Sequence, residues 1–369
     1  MKLYPKLILE ALEKVRYPGT GKNIVEAGMI EDDIRIENNK VSFSIIFVKQ
    51  NDPFIKSVVK AAETAILTYV SPDVAIKGNI TPKMKQIATQ SDSLPILPQV
   101  KNIVAVSSGK GGVGKSTVAV NLAIALAQMG YKTGLLDADI FGPSIPKMFD
   151  EENARPYMET IDGKEWIIPV EKYGVKILSI GFFVDRENAL VWRGTMASNA
   201  LKQLITDAYW GELDYFIMDL PPGTGDIQLT LVQTLAITGA IVVTTPQKVA
   251  LADARKGINM FCGKKVNVPV LGIVENMSWF TPAELPENKY YIFGKNGGKE
   301  LAEELGIPLL SEIPIVQSIC EGSDNGQPIV LNESCITARA FQQLAQNVVS
   351  HVNYRNENME ASKRVEIIR

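Results

Sequence analysis

The residues best suited to chemistry run Ser107-Ser108-Gly109-Lys110-Gly111-Gly112-Val113-Gly114-Lys115-Ser116-Thr117. Gly109, Gly114, Lys115 and Ser116 fill every fixed position of G-x-x-x-x-G-K-[ST], the phosphate-binding loop. Glycines let such a loop curl so that successive N–H groups of Gly111, Gly112, Val113 and Gly114 point at phosphate oxygens. Lys115 is expected to reach the β- and γ-phosphates, and the Ser116 hydroxyl to meet Mg²⁺. An apolar run, Ile103-Val104-Ala105-Val106, precedes the loop, and Val118 to Ala127 follow with a helical composition. A helix start at Thr117 would add its partial positive charge to the anion site. An ordinary glycine turn would not place a lysine and a serine at these offsets.

Hydrolysis of a nucleotide also needs a metal ligand and a switch. Asp219-Leu220-Pro221-Pro222-Gly223-Thr224-Gly225-Asp226 follows the apolar run Tyr215-Phe216-Ile217-Met218. A carboxylate at the end of such a strand holds Mg²⁺, through water, in P-loop enzymes, so Asp219 takes that role. The prolines and glycines behind it make a stiff switch around the γ-phosphate. A second strand ends in Asp137-Ala138-Asp139. Paired aspartates form turns readily; after a phosphate loop, Asp137 is expected to support the metal shell or the loop. Val274-Glu275-Asn276-Met277 closes a further strand, and the Asn276 amide offers a donor and an acceptor to an adenine edge. Thr245-Pro246-Gln247 and Ile313-Pro314-Ile315 are expected to wall the base pocket.

These groups need a large fold to position them, and 369 residues leave room for two domains. Composition is 46% hydrophobic and 21% charged with a net charge of −3, so no broad attraction to nucleic acid is expected. The amino-terminal decapeptide has no apolar signal core and no stretch approaches a bilayer span, so no membrane partner and a cytoplasmic location are expected. Cys262, Cys320 and Cys335 are too few and too far apart for a disulfide framework, and His351 is the single histidine.

From Lys101 onward apolar strands alternate with helical patterns, which predicts an α/β fold with a doubly wound parallel sheet over 101–351. Its strands are expected at 103–106, 133–137, 175–180, 215–219, 240–244 and 270–274. Residues 1–82 read as a small α/β domain. It has a helix ending near Tyr17-Pro18-Gly19, a hairpin around Asn38-Asn39, a helix from Phe54 to Tyr69, and a last strand at Val74-Ala75-Ile76. Residues 83–100 have the composition of a linker, and 352–369 read as a polar tail.

Lys110 turns the phosphate loop into K-G-G-x-G-K-[ST], which resembles the deviant loop of the MinD/Mrp/nitrogenase-reductase group of ATPases. In that group the extra lysine crosses a dimer interface to the partner's nucleotide. The resemblance implies a homodimer, with Lys110, Lys115 and Asp139 catalytic, Asp139 orienting the attacking water, and Asn276 on the adenine. Asp137 to Ser144, Trp192-Arg193-Gly194, Trp210 to Tyr215, Asp219 to Asp226, Glu275-Asn276-Met277-Ser278 and Ile292-Phe293-Gly294 together resemble the Mrp/ApbC iron–sulfur cluster carriers. The amino-terminal domain, with Ile24-Val25-Glu26-Ala27-Gly28-Met29-Ile30, resembles the SufT-like domain of iron–sulfur assembly factors. Together these imply an ATP- and Mg²⁺-dependent ATPase that binds a [4Fe–4S] cluster and passes it to apo iron–sulfur client proteins, alongside other assembly factors.

Two departures bear on the cargo. The family commonly places Cys-x-x-Cys between its Asn-Met-Ser and Ile-Phe-Gly segments, where this chain reads Trp279 to Tyr291 without cysteine. The SufT-like pattern often has a cysteine where Lys49-Gln50-Asn51-Asp52-Pro53-Phe54 stands, which leaves that domain a docking or client-recognition role. Iron–sulfur clusters require thiolates, so ligands are sought at Cys320, expected in a loop, and Cys335, expected at a helix start. Two other readings stay open. One is an ATP-dependent scaffold in iron–sulfur assembly that holds no cluster. The other is a MinD/ParA-like positioning ATPase, which the short apolar face of the tail and the absence of basic excess disfavour.

Overall fold

The computed structural model describes residues 3–19, 21–31, 33–37, 39–47, 52–84, 96–140, 142–183, 194–263, 266–282, 284–285, 287–332, 335–362 and 364. The chain divides into two compact units, Met1–Ser93 and Leu94–Arg369.

The first unit runs α1 (Pro5–Leu12), β1 (Arg35–Glu37), β2 (Lys40–Phe47), α2 (Ile55–Tyr69) and β3 (Ile80–Met84). β1 and β2 pair antiparallel, with Glu37 opposite Lys40, as the hairpin reading expected. Ile8, Leu12, Ile45, Phe47, Ile66 and Ile24 are buried together. Two expectations are corrected. The first helix stops at Leu12, because Val15 donates its N–H to the Leu12 carbonyl in a tight turn and not back along a helix. Val74-Ala75-Ile76 supplies only an isolated bridge from Ala75 to Lys40; the third strand is β3, parallel to β2 with Phe43 beside Ile80. Pro82 lies in β3, which the residue tolerates because β3 is the sheet's edge.

The second unit is a three-layer α/β fold of the doubly wound type. Its elements are β4 (Val100–Ser108), α3 (Lys115–Gln128), β5 (Thr133–Asp137), α4 (Ile145–Met148), β6 (Tyr157–Ile161), β7 (Lys164–Ile168), β8 (Val170–Lys172) and β9 (Val175–Ser179). They continue as α5 (Gly194–Thr206), β10 (Leu213–Asp219), α6 (Asp226–Thr234), β11 (Gly239–Thr244), α7 (Lys248–Cys262) and β12 (Val270–Phe280). α8 (Gly297–Leu305), β13 (Leu309–Ile315), α9 (Gln317–Asp324) and α10 (Ile336–Asn358) complete the chain. The main sheet has the order β13-β12-β11-β4-β10-β5-β9-β8, parallel except for the β8–β9 pair at one edge.

Both faces of the central strands are buried, and the pleat sends alternate side chains to opposite layers. Val104 and Val106 of β4 meet α3 and α10, among them Leu122, Phe341 and Leu344. Ile103 and Ala105 meet the other layer, with Leu201 and Leu204 of α5, Leu231 of α6 and Ile258 of α7. Strand order reverses at β4: β5 and β9 lie to one side, β11, β12 and β13 to the other. The crevice at the carboxyl ends of strands flanking such a switch point receives ligands, and the phosphate loop begins there.

Further differences from the sequence reading have local causes. β6 and β7 form a separate hairpin turned by Asp162 and Gly163, both at positive φ, a signal that the reading passed over. Residues 352–358 belong to α10, since Val352 is fully buried and Arg355 is 8% exposed, so the polar tail begins only after Asn358. Among the described residues no helix is long and apolar enough to cross a membrane.

Gly109 shows how tightly the fold grips its loop. A Cβ there would stand 2.1–2.4 Å from the backbone of Asp253 and Ala254 in α7. Gly109→Ala is expected to cost about 3 kcal/mol, the upper end of overpacking, because backbone must yield. The midpoint of urea unfolding checks it.

Candidate nucleotide site

β4 ends at Ser108, the chain loops through 109–114, and α3 starts at Lys115 behind Gly114, a cap at φ +80°. The loop, Asp139, Ser144, Met148 and Pro222 line a cleft of about 230 Å³. Gly112 and Gly114 hold left-handed backbone that other residues adopt only with strain.

Beneath the loop sits a compact charge cluster. Lys115, 6% exposed, places Nζ 2.5 Å from Asp219 Oδ1, and Ser116 Oγ donates to Asp219 Oδ2 at 2.5 Å. Parallel pairing brings these groups together: Asp219, the last residue of β10, lies beside Val106 of β4 on one side and Asp137 of β5 on the other. Asp137 is fully buried and accepts from the Asp139 N–H at 3.1 Å and from Ser179 Oγ at 2.9 Å. The sequence reading missed Ser179, whose only signal was its place at a strand end.

Two fully buried carboxylates thus share one buried ammonium. Burial, and then the neighbouring Asp219 charge, push the Asp137 carboxyl up to about 7, against the pull of Ser179 and Lys115. Burial lifts Asp219 as well, against the pull of Lys115 and Ser116. A divalent cation relieves such a deficit, and the donors on offer, a carboxylate and a hydroxyl, are the hard oxygens that Mg²⁺ takes. Ser116 and Asp219 would hold it; Lys115 occupies the cationic position here.

Lys110 and Asp139 both line the cleft and are half-buried. Asn276 is placed differently from the adenine expectation: its Nδ2 donates to the Val113 carbonyl at 2.8 Å. A Cβ on Gly114 would meet that nitrogen at 2.2 Å. The donor half of the amide therefore braces the phosphate loop. Asn276 does lie beside Ile313 of β13, so two of the expected base-pocket segments adjoin. Thr245-Pro246-Gln247 packs on a segment not singled out from sequence, since the Pro246 carbonyl would be 2.5 Å from a Cβ on Gly297. Buried Glu275 fastens that segment by accepting from the Gly298 N–H at the start of α8. The glycine pair was its signal.

The cysteines occupy three separate elements. Cys262 is exposed at the end of α7, its thiol pushed up by partial burial. Cys320 lies in α9, a helix and not the expected loop, with Sγ 3.7 Å from Asp324 Oδ2. Cys335 is half-buried at the cap position of α10, the expected helix start. Among the described residues no three His, Cys, Asp or Glu side chains converge to hold a metal. Where the resembled family has thiols, Phe280 and Tyr290 exchange both backbone hydrogen bonds at 2.8 Å, and Lys289 Nζ sits 3.9 Å over the Trp279 ring. Trp192, Arg193 and Lys49 to Asn51 lie outside the described residues.

Residues 99–349 match the ParA family described as the NUBPL iron-transfer P-loop NTPase, and residues 6–77 match the iron–sulfur cluster assembly protein family. The chain belongs to the NUBPL iron-transfer P-loop NTPase family. It is 42% identical over 349 residues to the iron-sulfur cluster carrier protein of Synechocystis sp., covering 94% of this chain and 97% of that one. It is 51% identical over 265 residues to the carrier protein of Escherichia coli K12, covering 71% and 70%. Among solved structures, a nucleotide-binding protein of Archaeoglobus fulgidus in complex with ADP is 37% identical with a TM-score of 0.56, covering 66% of this chain and 92% of that one. The Pyrococcus horikoshii MinD–Mg-ADP complex, 24% identical with a TM-score of 0.51 over 70% and 99%, shares the fold. The family is one of P-loop NTPases, and the 230 Å³ cleft lies at this chain's P-loop sequence.

The raised Asp137 carboxyl has a consequence for the empty P-loop NTPase. Its folded pKa lies above the unfolded value, so its contribution to stability is full below about pH 4 and is lost as pH rises through about 7. A tenfold change in a proton-binding equilibrium is worth about 1.4 kcal/mol, so Asp137→Asn should gain on wild type by a few kcal/mol between pH 4 and 8. Denaturant unfolding of both nucleotide-free proteins across that range measures it; a constant difference would contradict the assignment.

Proposed function

We propose that the chain is a Mg²⁺-dependent ATPase that works as a homodimer and delivers iron–sulfur clusters to apoproteins. The observation that carries the ATPase part is the buried Lys115–Asp219–Ser116 cluster at the floor of the phosphate cleft. Phosphates entering the cleft draw Lys115 off Asp219. Asp219 and Ser116 would then hold Mg²⁺, whose charge would neutralise the phosphates. Asp139, half-buried at the cleft wall, aims the attacking water. Lys110 acts on the nucleotide of the second copy. Asn276 holds Val113 in place and, through the rest of its amide, meets the base.

The cluster is cargo. Family membership and the carrier names of the relatives support this role. With the three thiols on separate elements, a [4Fe–4S] cluster would take ligands from two chains, through Cys320 and Cys335, or from the client. The scaffold reading is favoured by one specific observation: Phe280 and Tyr290, bridged antiparallel, flank the place of the family's paired thiols, and the sequence between them has no cysteine. We assign residues 1–84 to client docking and 100–358 to the ATPase, in a cytoplasmic protein. Apo iron–sulfur proteins and other assembly factors are its partners, and nucleic acid and membrane are not.

Lys115→Ala is expected to weaken ATP binding by roughly 10- to 100-fold, the worth of hydrogen bonds to a charged group. Asp139→Ala should bind ATP normally and lose about 10²- to 10⁴-fold in kcat. Calorimetry and phosphate release read these; wild-type values in both variants would remove the site.

Anaerobic reconstitution with iron and sulfide separates the cargo readings. The carrier is expected to retain iron and sulfide, and Cys320→Ser to lose them with ATP hydrolysis intact. A wild-type chain that retains neither is a scaffold.

A further inference from the structure

A buried amide next to the phosphate loop has no part in the site described above. Gln228, the third residue of α6, is 1% exposed. Its Nε2 donates to the Pro221 carbonyl and lies 3.4 Å from Ser107 Oγ. Ser107 is buried in β4 just before the phosphate loop, and Pro221 is two residues beyond Asp219. The side chain therefore bridges the strand that enters the loop and the segment that leaves Asp219.

The chemistry fixes which way the amide faces. Pro221 presents only a carbonyl, so nitrogen must meet it. Oε1 is then turned the other way, where it is buried and without a hydrogen-bond partner. The cause lies in the adjoining sequence. Pro221 and Pro222 carry no N–H, and the N–H of Gly223 is already given to the Ser108 carbonyl at 2.9 Å. A glutamine at this helical position ordinarily reaches back with its oxygen to the N–H of the capping residue, here Gly225. Gln228 is reversed here, and an acceptor inside the core is left unmet, which is unfavourable.

We propose that Gln228 is a positioning residue that couples the segment 220–225 to the phosphate loop and lets the chain distinguish ATP from ADP. The inference rests on the ATPase reading. Beyond Leu220, whose N–H goes to the Val106 carbonyl at 3.0 Å, two ties hold the segment, Gly223 N–H to Ser108 and Gln228 to Pro221. Pro222 lines the cleft, so a γ-phosphate arrives beside Gly223 and competes for its N–H. When Gly223 leaves Ser108, the segment turns and its remaining N–H groups come within reach of Gln228 Oε1. The orphaned acceptor is satisfied only in the ATP-bound arrangement. ADP, one phosphate shorter, leaves both ties in place.

The test compares Mg-ADP with a Mg-bound non-hydrolysable ATP analogue on the full chain by calorimetry, with thermal unfolding of the empty protein alongside. Gln228→Met keeps the length and volume and removes donor and acceptor together. It removes one unmet acceptor and leaves another, the Pro221 carbonyl, so it should unfold near the wild-type temperature, bind ADP as wild type does, and lose the preference for the ATP analogue by roughly tenfold, the equivalent of one or two hydrogen bonds. Gln228→Glu, which also serves if the methionine variant fails to fold, should lose the preference at neutral pH. It should recover it in acid, where its protonated carboxyl again donates to Pro221. A wild-type ATP-to-ADP ratio in a folded variant overturns the inference alone. Equal loss of both nucleotides with a lowered unfolding temperature also overturns it, since that marks a merely structural role. A wild-type chain that binds neither nucleotide overturns the ATPase reading and this inference with it.

Discussion

The ion pair between Lys115 and Asp219 is the constraint on which the ATPase unit depends. Taking an ammonium and a carboxylate out of water costs several kcal/mol each, and only close pairing with further hydrogen bonds offsets it. Here Ser116 supplies the additional bond, and the pair sits at 2.5 Å. Its partners come from β10 and from the first turn of α3, so the pair forms only once β10 has settled beside β4. Asp137 on the next strand adds a second buried carboxyl and no second cation. Two buried carboxylates beside one buried ammonium leave the site short of positive charge.

Around that pair the chain fixes the phosphate loop from several sides. The backbone of α7 presses on Gly109, and Asn276 of β12 holds Val113 and lies against Gly114. Glu275, the neighbour of Asn276, ties the same strand to the start of α8, whose glycines pack against Pro246. The loop that receives phosphate is therefore pre-shaped, which limits the entropy lost on binding. The segment after Asp219 is held more lightly, by backbone bonds to β4 and by an amide with an unmet acceptor. Motion falls where the restraints are weakest.

The cargo side has different physics. A cluster carrier presents soft thiolates, and this chain has three cysteines on three elements. At the place of the family's paired thiols, the bridged pair Phe280 and Tyr290 and a lysine stacked on Trp279 stand instead. The nucleotide cleft and the cysteines thus lie on separate elements of the chain.

What the sequence determined by itself was whatever local pattern encodes. The phosphate loop, the strand-end aspartates and the strands 133–137 and 240–244 were legible because glycine conformation, apolar runs and motif spacing act over a few residues. The hairpin at Asn39 and α2 followed for the same reason. Tertiary structure decided the rest. Lys83 and Met84 looked like linker residues because only pairing with β2 reveals that β3 runs through them. Cys320 looked like a loop residue because α9 is a short helix with no buried residue, leaving no apolar period to read. Residues 352–358 looked polar, yet Val352 and Arg355 face a core that lies elsewhere in the chain. Asn276 was singled out for an adenine edge, and the bond from its amide to the Val113 carbonyl depends on a neighbour 163 positions away. The same holds for Ser179 and Gln228. Their importance comes from contacts between strands and loops distant in sequence, and no spacing along the chain records those.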